Sequence, residues 1–122
     1  MKKFKITFPT GHSCTNVIND NIDINIVFSN GEVYFGTLIT PINILYLMDK
    51  NNMMFLSMPE MFIIKNLEKE TINNAISNAI KDTSFSPPFV KIGNIHDIYG
   101  NLSYDELIDL NDSSGDNCIS VR

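Results

Sequence analysis

The 122-residue sequence predicts an α+β fold in which one antiparallel sheet carries two main helices on one face and a short helix follows near the carboxyl end. Two runs of alternating apolar and polar residues, joined by Asn30-Gly31, predict a β-hairpin over residues 22–40. Residues 68–81 carry apolar side chains at the spacing of an amphipathic helix. The composition, 43% hydrophobic and 19% charged, is typical of a globular domain that buries a core.

Strands account for most of the first forty residues. Residues 2–8 alternate polar and apolar side chains, which predicts a half-buried strand that ends at Pro9. In the hairpin, Asn30-Gly31 favours a tight turn because both residues tolerate positive φ. Gly36, inside the second strand of the hairpin, indicates either a bulge or the close approach of another segment.

Two further helices are predicted. Thr40-Pro41 suits the N-cap and the first helical position, and the helix that follows over residues 41–49 is apolar nearly all round. Ser103 and Glu106 have the spacing of a capping box, which predicts a short helix that runs through Leu110.

More extended segments complete the predicted sheet. Residues 53–58 and 61–65 are expected to form a second hairpin around Pro59-Glu60. Residues 85–95 are expected to be extended, and Pro87-Pro88 confines any strand there to the edge of the sheet. The predicted core consists of Ile24, Ile26, Phe28, Phe35, Leu45, Phe55, Ile63, Ile72, Ile76 and Ile80.

Domain organisation and location follow from length and composition. We expect a single α+β domain over residues 1–110 and a flexible acidic tail over residues 111–122. The most apolar run, residues 53–58, is far shorter than the ~20 residues of a membrane-spanning helix, and the amino terminus lacks the apolar stretch of a signal peptide. Cys14 and Cys118 are expected to be reduced thiols. These features predict a cytoplasmic protein that does not bind membranes.

Charge is distributed unevenly along the chain. Residues 1–93 contain eight lysines and eight acids, whereas residues 94–122 contain six acids and one base, Arg122, so this last region carries the whole net charge of -5. An acidic balance argues against direct nucleic-acid binding, which favours basic chains. A concentrated negative segment can keep a protein soluble, or it can steer a basic partner toward itself.

No motif for catalysis or cofactor binding occurs in the sequence. The chain lacks glycine-rich phosphate loops and the Gly-x-Ser-x-Gly motif of hydrolases. His12 and Cys14 match no catalytic cysteine signature, and together with His96 and Cys118 they lack the paired spacing of a zinc site. Counted from Asp109, the acidic run has Ser114 and Ser120 at the sixth and twelfth positions, where a calcium loop requires glycine and glutamate. We therefore expect that this protein is not an enzyme and that it binds no cofactor and no metal.

The apolar segment over residues 41–61 leaves two interpretations open. Its helix is apolar nearly all round, and several methionines and phenylalanines follow it. Methionine is frequent both in cores and on adaptable binding surfaces. If the segment lies on the surface, the chain is expected to be a homo-oligomeric structural or adaptor protein that assembles through residues 41–61.

The order of these patterns resembles a known group of proteins. After the hairpin, Thr-Pro-Ile-Asn-Ile-Leu-Tyr-Leu-Met stands at 40–48, Met-Phe-Ile-Ile-Lys-Asn-Leu at 61–67 and Glu-Thr-Ile-Asn-Asn-Ala-Ile at 70–76. In this order the motifs resemble those of the small immunity proteins of bacterial polymorphic toxin and contact-dependent growth inhibition systems. The resemblance covers residues 20–85 and implies a protein that binds and neutralises a toxin domain made by the same cell or its siblings.

Charge and resemblance together predict an immunity protein that occludes the active surface of a cognate, basic toxin domain, expected to be a nuclease. The acidic end of the chain is the expected site of contact, with a tyrosine among acids as an anchor. The predicted partner-binding residues are Asp97, Tyr104, Asp105, Glu106, Asp109 and Asp112.

Overall fold

Five strands and three helices occur in a computed structural model that describes residues 3–9, 16–82 and 88–112. The strands are β1 (Phe4–Thr7), β2 (Asn21–Phe28), β3 (Glu32–Ile39), β4 (Met61–Ile63) and β5 (Val90–Asn94). The helices are α1 (Pro41–Lys50), α2 (Lys69–Lys81) and α3 (Ile95–Tyr99), and two 3-10 turns follow at Tyr104–Glu106 and Leu110–Asp112. The predicted α+β class is confirmed.

The five strands form one mixed sheet. β1, β2 and β3 are neighbours in that order, and β4 and β5 both pair with the remaining edge of β3. β5 is antiparallel to β3 and pairs with no other described strand, as the prediction of an edge strand requires. β4 is parallel to β3, so the prediction of an entirely antiparallel sheet is wrong. The reason is α1, which lies between the two strands in sequence and acts as a crossover connection that returns the chain to the same end of the sheet.

The predicted second hairpin does not form. Residues 53–58 contain no strand, and β4 has three residues. A continuous apolar run does not by itself select a strand, because it lacks the alternation that would set one face inward. Residues 51–60 instead connect α1 to β4.

The first hairpin forms as predicted, with a different turn. Ile24 pairs with Gly36 and Ile26 pairs with Tyr34 across β2 and β3. Gly31 alone within the turn has a positive φ, 101°, and Asn30 does not. The Asn30 side chain accepts a hydrogen bond from the Glu32 backbone N–H at 3.0 Å, which closes a three-residue loop.

Alternation along β2 places isoleucines on the face of the sheet that α2 covers. Ile24 and Ile26 are fully buried and belong to one apolar cluster with Ile72 and Ile76 of α2. These four predicted core residues and Phe28 are confirmed, and Phe35 and Ile80 are half-buried.

Three predicted core residues lie at the surface instead. Leu45, Phe55 and Ile63 are 60%, 68% and 57% exposed. Leu45 is on the outer side of α1, Phe55 lies in the connection after it, and Ile63 ends the short edge strand β4. Apolar composition predicted their burial, but no described element covers them.

The two main helices attach to the sheet differently. α2 buries Ile72, Ile76 and Ala79, whereas the one residue that α1 buries is Asn43. The Asn43 amide accepts a hydrogen bond from Asn21 Nδ2 at 2.8 Å and donates one to Asn19 at 3.0 Å. α2 therefore packs on the sheet through buried apolar residues, whereas α1 buries one polar residue and keeps Ile44, Leu47 and Met48 half-buried.

The predicted helix from Ser103 through Leu110 is replaced by two 3-10 turns. The Ser103–Glu106 capping contact is present, since Glu106 Oε1 accepts a hydrogen bond from the Ser103 N–H at 2.8 Å. The chain then becomes extended at Leu107. Leu107 and Leu110 are both buried, but in separate apolar clusters. A continuous helix would place these two residues on the same side, so it could not bury both in this way.

The first two residues of the predicted tail, Asn111 and Asp112, lie within the described residues. Asn111, within the second 3-10 turn, accepts a hydrogen bond from Asn73 Nδ2 of α2 at 2.7 Å. The remainder of that prediction, residues 113–122, lies outside the described residues.

Gly36 marks the close approach that its position in β3 predicted. The fully buried ring of Phe89 lies directly across Gly36, and a Cβ atom there would overlap ring atoms Cδ1 and Cε1. Phe62 of β4 packs against the same ring, with centroids 4.9 Å apart. The missing side chain of Gly36 therefore makes room for the largest buried residue of the core.

We expect Gly36→Ala to lower the free energy of unfolding by ~1–3 kcal/mol, because the added methyl group must displace Phe89. Urea denaturation measures the change. In a Phe89→Leu background the same substitution is expected to cost less, since the ring is gone. Equal costs in both backgrounds would show that the clash is not the cause.

Candidate partner-binding surface

Residues 95–112, here named the C-terminal wrap, pass from one face of the sheet to the other around the β1 edge. At its start the wrap packs on Val27 and Val33 through Ile95, Tyr99, Tyr104 and Leu107. At its end Leu110 is fully buried in the opposite cluster, which contains Ile6. The predicted partner-binding residues all lie on this wrap.

The wrap begins with α3, a short helix whose first turn is capped by Asn94 and Asp97. The Asn94 side chain accepts a hydrogen bond from the Asp97 N–H at 3.0 Å, and the Asp97 carboxylate accepts one from the Asn94 N–H at 3.3 Å. This reciprocal capping starts the helix. Gly100 ends it with a φ of 68°, a conformation that favours glycine.

Tyr99 attaches α3 to the sheet. Its hydroxyl group lies 2.7 Å from Thr7 Oγ1 and accepts a hydrogen bond from Asn25 Nδ2 at 2.9 Å. Asn25 is buried on the face of β2 opposite the isoleucines, and its Oδ1 has no hydrogen-bond partner among the described residues. A buried amide needs partners to offset its lost hydration, so the Tyr99 hydroxyl is a structural requirement of this face.

Lys5 holds the middle of the wrap. Its Nζ donates hydrogen bonds to the carbonyl oxygens of Tyr104 at 2.8 Å, Leu107 at 2.9 Å and Asp105 at 3.3 Å. The same ammonium group lies 4.9 Å from the centroid of the Tyr104 ring. These contacts fix the backbone of the first 3-10 turn, because an ammonium group with several carbonyl acceptors gains charge-assisted hydrogen bonds.

Asp109 protects the edge of the sheet. Its Oδ1 accepts a hydrogen bond from the Ile6 backbone N–H at 2.8 Å, and its Oδ2 accepts one from Asn111 at 3.0 Å. An edge strand presents backbone groups that can pair with another chain. The Asp109 carboxylate occupies one such position on β1.

A cleft opens between the end of β1 and the wrap. Its volume is ≈ 400 Å³, and its walls are largely apolar. The lining residues are Thr7, Phe8, Tyr99, Leu102, Glu106, Leu107 and Ile108. Glu106 is the one charged residue among these, and Ile108 is 71% exposed at the cleft. An apolar recess beside a carboxylate suits a partner side chain with an apolar stem and a positive end.

The acids around Tyr104 influence its ionisation. Partial burial raises the pKa of the Tyr104 hydroxyl above its usual value, and the carboxylates of Asp109 and Asp105 raise the pKa further by opposing a phenolate charge. These two effects keep Tyr104 neutral and leave the negative charge of this surface on its carboxylates.

The six predicted residues divide into two groups by exposure. Asp97, Asp105 and Glu106 are exposed. Tyr104 and Asp109 are half-buried, and the Asp109 carboxylate already binds the β1 edge. Asp112 ends the second 3-10 turn. The three exposed acids are therefore the most accessible of the described carboxylates on the wrap.

The sequence prediction missed the apolar part of this surface. Leu102 and Ile108 line the cleft, and Ile98 is exposed on α3. Three isolated aliphatic residues in a polar, acidic stretch are a weak signal, because single apolar side chains on a surface are common. Their relation to Phe8 depends on the path of the wrap around β1.

A metal-binding cluster and a membrane-spanning helix are both absent from the described residues. Within 3–9, 16–82 and 88–112, no group of three or more His, Cys, Asp or Glu side chains could hold a metal ion. His12, Cys14 and Cys118 lie outside these residues. In the same part of the chain, no helix has the length and apolar character needed to cross a membrane.

Comparison of the chain with protein-family models, with curated protein sequences and with solved structures finds no match. Because no relative is found, the function proposed for this chain depends on its own residues and surfaces.

We expect Lys5→Ala to lower the free energy of unfolding by ~2 kcal/mol, because it removes the charge-assisted hydrogen bonds to the wrap. Chemical denaturation measures this loss. Lys3→Ala is the matched control, since it removes the same charge from an exposed position two residues away, and its expected effect is within ~0.5 kcal/mol. Equal losses for the two variants would contradict the role assigned to Lys5.

We expect stability to fall with rising pH above about 10 more steeply in the wild-type protein than in Tyr104→Phe. Because the folded pKa of Tyr104 is raised, the unfolded chain loses this proton first, so the stabilisation is complete below pH 10 and is lost as the pH rises through the folded pKa. Urea denaturation across this range gives the slopes. Asp105→Asn is expected to give an intermediate slope, and identical slopes for wild type and Tyr104→Phe would contradict the prediction.

Proposed function

We propose that this protein is a non-enzymatic cytoplasmic immunity protein that binds a basic toxin domain and covers its active surface with the C-terminal wrap. The observation that carries the proposal is the combination of exposed carboxylates and an apolar cleft on one segment. Asp105 and Glu106 are exposed beside the cleft, and Asp97 is exposed on the neighbouring helix α3.

The arrangement has the composition of a binding surface. Protein interfaces combine an apolar centre, which excludes water, with a polar rim that sets orientation. Leu102 and Ile108 are exposed and provide the apolar centre, and Glu106 lines the same cleft. The rigid attachment of the wrap through Lys5 and Asp109 reduces the ordering cost that a flexible acidic tail would incur on binding.

The charge of the surface defines the partner. Residues 92–112 contain five acids and neither lysine nor arginine. A nuclease domain binds phosphate groups and carries a positive surface for that purpose. An acidic protein surface can occupy that positive surface in place of the nucleic acid, which explains how binding would also inhibit.

Resemblance supports the same function independently of charge. The strand and helix motifs over residues 20–85 resemble those of immunity proteins, and they form β2, β3, β4, α1 and α2. An interface on the wrap would thus lie on the part of the chain that the resemblance does not include. Recognition of a particular toxin is expected to reside in such a segment, because related immunity proteins must reject the toxins of others.

If the proposal is right, a toxin domain is encoded beside this chain's gene, and that domain is the probe for a direct test. We expect the two purified proteins to form a one-to-one complex in which the toxin's activity is lost. Isothermal titration and a toxin activity assay measure the two properties. A toxin that stays active when bound would contradict the proposed occlusion, and absence of binding would contradict the immunity function itself.

We expect Asp105→Lys with Glu106→Lys to slow association with that toxin domain by roughly 10-fold or more at low salt, and to weaken the dependence of the rate on salt. Stopped-flow mixing measures both. Glu70→Lys with Asp82→Lys is the matched control, because it reverses two exposed acids of the α2 region and changes the net charge equally. If both pairs slow association to the same extent, overall charge rather than the wrap directs binding.

A further inference from the structure

A second group of exposed apolar residues lies far along the chain from the wrap. Ile42, Leu45 and Tyr46 are 49%, 60% and 48% exposed on α1, where their spacing places them on one side of the helix. Met54 and Phe55, in the connection that follows, are 100% and 68% exposed. These five residues and Met53 are named the α1 surface.

A turn at the end of α1 brings the second part of this surface next to the last turn of the helix. Asn52 adopts a left-handed conformation with a φ of 54°, and the Met53 N–H then donates a hydrogen bond to the Met48 carbonyl oxygen at 2.8 Å. The chain therefore reverses at the last turn of the helix. This geometry places Met53 beside the end of α1, and the exposed residues Met54 and Phe55 follow it in the chain.

The amount of exposed apolar area is large for a small monomer. The exposed fractions, applied to large side chains of ~200 Å², correspond to roughly 700 Å² for the α1 surface. A typical monomer exposes an apolar patch of about 300–600 Å², and each partner in a stable interface buries about 800 Å². The α1 surface thus approaches the area that one side of a stable dimer requires.

Charge distinguishes which partner this surface can accept. Residues 41–58 contain Asp49 and Lys50 as their charged residues and have a balance of zero. A two-fold symmetric interface brings each surface against an identical copy of itself, so like charges would face each other. The acidic wrap is unsuited to such contact, whereas a neutral apolar surface is compatible with its own copy.

We infer that the α1 surface binds a second copy of this chain, forming a symmetric dimer in which α1 of each protomer packs against its partner. The exposure of α1 fits this role, because Asn43 is its one buried residue, Ile44, Leu47 and Met48 are half-buried, and Ile42, Leu45 and Tyr46 are exposed. The two wraps lie outside the interface, so the dimer presents two partner-binding surfaces.

Sedimentation of the full chain across a range of concentrations tests the inference. We expect a species of twice the 13.8 kDa chain mass, and we expect Leu45→Lys to raise the dissociation constant of the dimer at least 10-fold. The substitution leaves the protomer intact, since Leu45 is exposed and the new cation would lie one turn before Asp49 on α1. Circular dichroism and thermal unfolding of the monomeric variant check its fold.

Ile108→Lys is the matched control, because it introduces the same charge at an equally exposed aliphatic residue of the wrap. It is expected to leave the dimer unchanged and to weaken toxin binding, whereas Leu45→Lys is expected to leave toxin binding unchanged. A wild-type chain that stays monomeric would overturn the dimer. So would a dimer that survives Leu45→Lys, or a monomer that uses the α1 surface to bind the toxin or vesicles of phosphatidylethanolamine and phosphatidylglycerol.

Discussion

The attachment of the C-terminal wrap to β1 is the contact on which the candidate surface depends. Lys5 donates hydrogen bonds to backbone carbonyl oxygens of the wrap, and Asp109 accepts one from the β1 edge. These two side chains have opposite charges, and each bonds to the backbone of the other segment. The contacts therefore set the path of the chain, and the cleft beside Glu106 exists because that path returns past β1.

Two surfaces of different chemistry result from this arrangement. The wrap is acidic around an apolar cleft, a charge that favours a basic partner and disfavours contact with its own copy. The α1 surface is neutral and apolar, which favours contact with an identical surface. In the two proposals made above, charge therefore separates binding to another protein from self-association within one small domain.

Much of the central architecture was predictable because local patterns and burial agree there. The alternation along β2 places Ile24 and Ile26 inward, and the spacing along α2 places Ile72 and Ile76 against them. Gly36 was predicted to mark a bulge or a close approach, because a glycine inside a strand has no side chain to pack, and the structure shows the close approach. The identity of the approaching ring, Phe89, was not predictable, since it comes from a segment more than fifty residues later in the sequence.

The sequence by itself determined the α+β class, the first hairpin, α2 and the separation of charge, since each depends on neighbours within a few residues or on composition alone. Only the tertiary structure decided that β4 is parallel to β3, that Leu45 and Phe55 are exposed, and that Leu102 and Ile108 share a cleft with Phe8. Periodicity tells which residues of a segment lie on the same side, but it does not tell what covers that side. Coverage depends on contacts between distant segments, and for α1 no described segment of the same chain provides it.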